Sequence, residues 1–370
     1  MREPFFKTEH MAVGYRGRIL IGGIDLQLEK GEILTLIGPN GAGKSTILKS
    51  IARQLKLLGG KVLLEGENTA EMNRNRLARR QAVVLTDRRH GDLMTCGEVV
   101  AAGRYPYTGS FGRLTEEDRR KTELAMETAG VTDLKDRPFD SISDGQRQRI
   151  LLAAALCQEP ELILLDEPTS FLDIRHKLEF LQNLRKTVRT QSTSVILSLH
   201  ELDLAQKISD RVVCVKGPVI DRVGTPEEVF RKEYIQSLYE MKEGTYDPLF
   251  GCVELPAGTE KTEEADIFVI AGGGSGIPLY RSLQRRGLSF VTGILHENDI
   301  DYHAAGLLAA EIISAPAFMP IPEQTFQAAL ARMKSCRTVY CPLAQFGEFN
   351  AMNRVLRDAA SREGKLKLFG

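Results

Sequence analysis

The stretch Leu36–Ser50, LIGPNGAGKSTILKS, constrains this chain more than any other. A short apolar run, EILTLIG, ends in a segment holding Gly38, Gly41 and Gly43, and a helix-forming sequence follows from about Lys44. A chain that puts so much backbone freedom between a buried strand and a helix start must curl tightly there. Side chains at those glycines would block the close approach of a ligand to backbone N–H groups. The helix points its partial positive end at the same place. A multiply charged phosphate chain is the ligand that needs such donors. The loop Gly38, Pro39, Asn40, Gly41, Ala42 and Gly43 would wrap it, Lys44 would add a point charge, and Ser45, followed by Thr46, would offer a hydroxyl to Mg²⁺. The spacing G-x-x-x-x-G-K-[ST] is met by GPNGAGKS between a strand and a helix, as the chemistry requires.

A second strand, LILLDEP, ends in two carboxylates. Asp166 can hold Mg²⁺, and Glu167 can polarise an attacking water. Around these segments apolar strands alternate with helical stretches, which predicts a mostly parallel sheet covered on both faces. The 370 residues suit two domains. The first is expected over 1–245, with a helical subdomain at about 88–158. Charged, apolar-poor residues follow, and 246–265 read as a linker. A second strand–helix series over 266–370 predicts a small Rossmann-like α/β domain of four strands and four helices.

Lys and Arg total 49 and Asp and Glu total 49, so formal net charge is zero and no broad basic field for nucleic acid exists. No run of about 18 apolar residues is present, so no membrane-spanning helix is expected, and the first residues, MREPFFKTEHMAVGYRG, lack the apolar stretch of a signal peptide. The six cysteines show no CxxC pair and read as buried thiols in a reducing compartment.

Taken in order, GPNGAGKST, SDGQRQR, LILLDEPTSFLD and SLHELDLA resemble the ATPase subunit of ABC transporters, over roughly residues 5–240. The resemblance implies a P-loop ATPase core of mixed sheet plus helical subdomain, with ATP and Mg²⁺ as cofactors. ISDGQ, Ile142–Gln146, occupies the place of the family's LSGGQ. Ser143, Gly145 and Gln146 would there cap ATP bound to the opposite subunit. Asp144 replaces a glycine of that pattern and is expected to point away or to cap the following helix. His200 matches the switch histidine that reaches the γ-phosphate, with Glu167 as its catalytic companion. Asp173 matches the loop that crosses the dimer interface, and Tyr15 the aromatic that stacks on adenine. Thr86 stands where the family carries a glutamine that contacts Mg²⁺ and senses the membrane partner.

The stretch VVAAGRYPYTGSFGRLTEEDRRKTELAMETAGV resembles the helical subdomain of importer ATPases for iron-siderophore, haem and cobalamin substrates. Arg104 to Leu114 then reads as a loop suited to a partner's coupling helix. The resemblance implies a homodimer at the cytoplasmic face of the membrane, peripheral, with separate transmembrane permease subunits and, indirectly, a substrate-binding protein. Other readings are a soluble ABC-type ATPase and a weakly hydrolysing ATP-binding module.

In the second domain, VIAGGGSGIP is again strand, glycine loop and helix. It reads equally as an anion site or as a turn without a ligand. His296, Glu297, Asp299, Asp301 and His303 read either as a metal or polar-ligand cluster or as a solvated loop. A regulatory, ligand-sensing role is the working expectation.

Overall fold

The structure, a computed structural model, describes residues 3–85, 94–109, 112–170, 172–255 and 265–368. The chain divides into two compact units, Met1–Met241 with Tyr246–Cys252, and Lys242–Thr245 with Val253–Gly370.

The first unit opens with the antiparallel strands β1 (Phe6–Tyr15) and β2 (Arg18–Ile24), followed by β3 (Gln27–Leu28). β4 (Ile33–Ile37) carries the chain into the glycine loop and α1 (Lys44–Ile51). β5 (Gly59–Leu64) and β6 (Glu67–Asn68) complete an antiparallel sheet of order β2-β1-β5-β6, with β3 paired to β1. Then come α2 (Arg74–Arg80) and β7 (Gln81–Val84). The helical region holds α3 (Cys96–Ala101), α4 (Glu116–Thr128) and α5 (Asp144–Cys157). β8 (Leu162–Leu165), α6 (Ile174–Gln191), β9 (Ser194–Ser198), α7 (Leu202–Ile208), β10 (Arg211–Lys216), β11 (Val219–Gly224), α8 (Pro226–Val229) and α9 (Lys232–Leu238) finish the unit's core.

The main sheet has the order β11-β10-β4-β9-β8-β7, parallel except for β11. Every residue of β4, β8 and β9 is buried. The strand period of two sends alternate residues to opposite faces. Ile33, Ile163, Leu165, Val195 and Leu197 pack with α3–α6 on one face. Leu34, Leu36, Leu162, Leu164 and Ile196 pack with α1 and the antiparallel sheet on the other. An uninterrupted apolar strand is what two covered faces demand.

At the start of the stretch expected as linker, β12 (Thr245–Asp247) and β13 (Cys252–Glu254) form a two-stranded sheet; residues 256–264 lie outside the described residues. Tyr246 is fully buried, its ring centroid 6.4 Å from that of Phe230. Between the two strands the chain turns, and the Asp247 carboxylate accepts the Leu249 and Phe250 N–H groups there.

The second unit runs β14 (Ile267–Val269), α10 (Ile277–Arg285), β15 (Phe290–His296), α11 (Ile300–Leu308), β16 (Glu311–Ala315), α12 (Glu323–Ser335), β17 (Thr338–Tyr340), α13 (Ala351–Arg362) and β18 (Leu366–Lys367). Its sheet is parallel, of order β16-β15-β14-β17-β18. That is one strand more than the sequence suggested: β18 has two residues, too short for a periodic signal, and exists through its pairing with β17. No helix among the described residues is long and apolar enough to cross a membrane. No disulfide joins the six cysteines, and four of them are buried.

Candidate active site

The loop between β4 and α1 needs its glycines for two distinct reasons. Gly38 sits at φ +143°, and a Cβ there would lie 2.1 Å from the Val215 carbonyl oxygen. A Cβ on Gly41, at φ +76°, would meet nothing within 4 Å, so only backbone conformation demands glycine. Gly43, at φ +101°, forms the N-cap of α1 and offers the helix start no side-chain cap. The first amides of α1 therefore face the cavity with the dipole's positive end. Lys44 folds back across the loop, its Nζ donating to the carbonyls of Gly38 (2.8 Å) and Pro39 (3.0 Å). Burial pushes its ammonium down, while Glu167 and then Asp166 push it up.

At the carboxyl end of β8, Asp166 continues the ladder by donating its N–H to the Val84 carbonyl (3.0 Å). Its Oδ1 accepts the hydroxyls of Ser45 (3.1 Å) and Ser198 (2.7 Å). Glu167 then turns into the left-handed region, φ +48°. Its Oε1 lies 2.5 Å from His200 Nε2. Tyr15, 51% exposed, places its hydroxyl 3.2 Å from Thr46 Oγ1. Tyr15, Leu20, Asn40, Gly41, Gly43, Lys44, Ser45, Thr46, Glu167 and His200 line one cavity of about 400 Å³.

Of the sequence-selected residues, the cavity thus gathers Tyr15, Asn40, Gly41, Gly43, Lys44, Ser45, Thr46, Glu167 and His200 from four separate segments, while Gly38, Pro39, Ala42 and Asp166 are not among its lining residues. Ser143 and Asp173 are not among its lining residues. Ser143 caps α5 in a capping box with Gln146, the hydroxyl accepting the Gln146 N–H (3.3 Å) and Gln146 Oε1 accepting the Ser143 N–H (3.1 Å). Asp144 is therefore not the cap; it accepts from Arg147 Nη1 at 3.2 Å. Gly145 follows in the first turn of α5. Asp173 caps α6 and lies 2.9 Å from His176 Nδ1. The His176 amide, first, and its ring hold the Asp173 carboxyl below the ordinary range. Thr86 lies outside the described residues.

Three residues whose contacts brace the site escape sequence reasoning. Tyr239 accepts the Gly38 N–H on its hydroxyl (3.1 Å), and burial pushes that phenol up to about 12. Ser198 accepts the Glu167 N–H at 2.9 Å. Glu201 accepts from Thr169 Oγ1 (3.0 Å) and Lys177 Nζ (2.5 Å). Ser198 did leave a signal: it is the last residue of the apolar strand that leads into His200, two positions before it.

Arg104, which the sequence suggested for partner contact, is interior. It is 3% exposed, donates to Asp118 Oδ1 (2.9 Å), the Cys157 carbonyl (2.8 Å) and Glu159 Oε2 (3.0 Å), and stacks 3.9 Å from the Tyr107 ring centroid. The neighbouring Tyr105 is 63% exposed.

For Mg²⁺, Ser45 and Asp166 supply two hard oxygens at the head of α1, a donor set that suits an ion shared with phosphates. In the second unit the glycine loop is filled from within. Gly273 N–H donates to Asp299 (2.9 Å), and the Gly274 and Gly276 N–H groups donate to the fully buried Asp301 (3.1 Å each). Burial raises the Asp301 carboxyl against those amides. No group of three or more His, Cys, Asp or Glu among the described residues is placed to hold a metal.

A family model described as ABC transporter matches residues 21–170, and one described as the MJ0874 family matches residues 290–369. The second match begins at β15, after the unit's central strand. The chain is 42% identical over 289 residues to the uncharacterized ABC transporter ATP-binding protein MJ0873 of Methanocaldococcus jannaschii, covering 78% of this chain and 99% of that one. It is 36% identical over 234 residues to the iron(3+)-hydroxamate import ATP-binding protein FhuC of Bacillus subtilis, covering 63% and 87%. The cobalamin import ATP-binding protein BtuD of Halobacterium salinarum is 32% identical over 314 residues, covering 84% and 78%. Among solved structures, the dimeric cassette MJ0796, described as a bacterial ABC transporter cassette, superposes with a TM-score of 0.53 at 25% identity, covering 60% and 98%.

Proposed function

This chain belongs to the ATP-binding proteins of ABC transporters and is an ATPase; from that premise we propose that it powers an importer for a metal-chelate substrate of the iron-siderophore, haem or cobalamin type. The observation that carries the catalytic part is the meeting of Lys44, Ser45, Glu167 and His200 around one cavity of about 400 Å³. The relatives that import ferric hydroxamate and cobalamin support the substrate class.

In this reading Tyr15 stacks on adenine, and the loop Gly38–Thr46 wraps the phosphates, with backbone N–H groups beyond Pro39 facing them. Lys44 exchanges its carbonyl partners for the β- and γ-phosphates. Ser45 and Asp166 would hold Mg²⁺, which when bound would supply charge neutralisation on those phosphates. Glu167 orients and deprotonates the attacking water, and His200 holds the Glu167 carboxylate and reaches the γ-phosphate. Ser143, Gly145, Gln146 and Asp173 serve the nucleotide of a second copy, which makes the working unit a homodimer. The dimer acts at the cytoplasmic face of the membrane on separate permease subunits fed by a binding protein, with Tyr105 on the surface that meets them.

Two measurements test this. The full chain with Mg-ATP should form dimers when Glu167→Gln stops hydrolysis; a strictly monomeric E167Q chain that still binds ATP would sink the paired-site reading. Cells lacking the chain should lose uptake of a radiolabelled ferric siderophore, haem or cobalamin. Unchanged uptake of all three would refute the substrate class.

A further inference from the structure

Glu167 occupies an unfavourable backbone state. A non-glycine residue in the left-handed region is strained and persists only when its surroundings over-determine it. The surroundings here come from one place, the carboxyl end of β9. β9 pairs in parallel with β8, Leu197 opposite Leu165, so the residues beyond each strand continue side by side. Ser198 is fully buried. Its hydroxyl donates to Asp166 Oδ1 at 2.7 Å and accepts the Glu167 N–H at 2.9 Å. With its one proton committed to Asp166, the hydroxyl faces Glu167 with a lone pair, which fixes the orientation of the Asp166–Glu167 peptide. His200, two residues on, holds the Glu167 carboxylate at 2.5 Å. Glu201 holds the far end of the same loop: one oxygen accepts from the fully buried Thr169 hydroxyl (3.0 Å) and the other from Lys177 on α6 (2.5 Å). Burial raises the Glu201 carboxyl, but Lys177 foremost among its partners outweighs this and leaves it below the ordinary range, so it stays an acceptor at neutral pH.

We infer that Ser198 and Glu201 are positioning residues for hydrolysis, which together with His200 clamp the loop Asp166–Thr169 so that the Glu167 carboxylate is held in its working geometry. Ser198 sets the backbone of Glu167, and Glu201 fixes the loop's exit and ties it to α6. Neither side chain is among the residues lining the nucleotide cavity; Ser198 contacts Asp166 and the Glu167 N–H, and Glu201 contacts Thr169 and Lys177, so both are placed to act through the loop that bears Glu167. The inference rests on Glu167 serving as the base.

The test uses the purified full-length chain, with ATPase kinetics and fluorescent-nucleotide binding measured for Ser198→Ala, Ser198→Thr, Glu201→Gln and Glu167→Gln. S198A should lower kcat by about tenfold or more, because the half-buried Glu167 N–H loses its acceptor and the left-handed turn loses its restraint. ATP affinity should change by less than about twofold, since transition-state geometry and not ground-state binding is affected. S198T, which restores the hydroxyl, should recover most of the rate. E201Q, which keeps shape and one hydrogen bond, should fall between wild type and S198A. In an E167Q background, S198A should produce no further loss of single-turnover rate. If E167Q retains normal kcat, the base assignment fails. If E167Q is inactive while S198A and E201Q keep kcat within about twofold of wild type, or lose rate only in proportion to nucleotide affinity, the clamp itself is refuted.

Discussion

Replacing Arg104 by Ala tests whether the GRYP segment is a structural hub or a partner-facing loop. The guanidinium is buried and serves three acceptors: Asp118 Oδ1, the Cys157 carbonyl at the end of α5, and Glu159 Oε2. Removing one partner of a buried ion pair costs about 3–5 kcal/mol, because the remaining charge stays desolvated. Two of the three acceptors keep other donors: Thr115 donates its hydroxyl (2.7 Å) and N–H (3.0 Å) to Asp118, and Lys121 donates to Glu159 (2.7 Å). The lower end of that range, about 3 kcal/mol, is therefore expected. For a unit of this size each kcal/mol moves the midpoint by about 2–4 °C, so Arg104→Ala should lower the first unit's calorimetric transition by roughly 6–12 °C. Arg104→Lys should recover less than half, since an ammonium cannot reproduce the fork. Tyr105→Ala, at an exposed position, should leave the transition unchanged. A shift below about 2 °C for Arg104→Ala would show that the network contributes little and refute the reasoning.

Acid should weaken the same region. The Thr115 hydroxyl and N–H, with Arg104, hold the Asp118 carboxyl down at about 2 from an ordinary 3.8. A depressed folded pKa means the stabilisation is complete above the unfolded value and is lost as pH falls from about 4 to about 2, a slope that Asp118→Asn should flatten in calorimetry. Gly38→Ala should destabilise the first unit by about 2–4 kcal/mol and abolish nucleotide binding, because its methyl would overlap the Val215 carbonyl. Gly41→Ala, with open space around it, should cost only about 1–2 kcal/mol; equal effects of the two in thermal unfolding would contradict this account. In the second unit, Asp301→Ala should cost about 2–3 kcal/mol by leaving the Gly274 and Gly276 amides unpaired, and equilibrium dialysis of the wild-type chain should find a single class of nucleotide site.

Most residues lining the candidate nucleotide cavity were legible in the sequence. The constraint there is local: glycines, a lysine and a serine at fixed offsets between a strand and a helix permit one backbone course, and carboxylates or a histidine ending buried strands must emerge at the same edge of a parallel sheet. Arg104 shows the limit of that reasoning. Its loop composition suggested a surface, whereas the side chain turns inward because Asp118, Glu159 and the end of α5, 14 to 55 residues away in sequence, converge on it. Sequence spacing carries no record of such convergence.

What the sequence determined by itself was the order of the strands and helices, the phosphate-cradling loop, the acidic strand end and the existence of a second α/β unit. Each follows from periodicity or from glycine's conformational freedom, which act over a few residues. Only the tertiary structure decided that Ser198 and Glu201 grip the loop bearing Glu167, that Tyr239 braces Gly38, and that Asp299 and Asp301 fill the second glycine loop from within. Those outcomes depend on which distant donor and acceptor a buried polar group meets, and the cost of leaving such a group unpaired selects the partner only once the chain has packed.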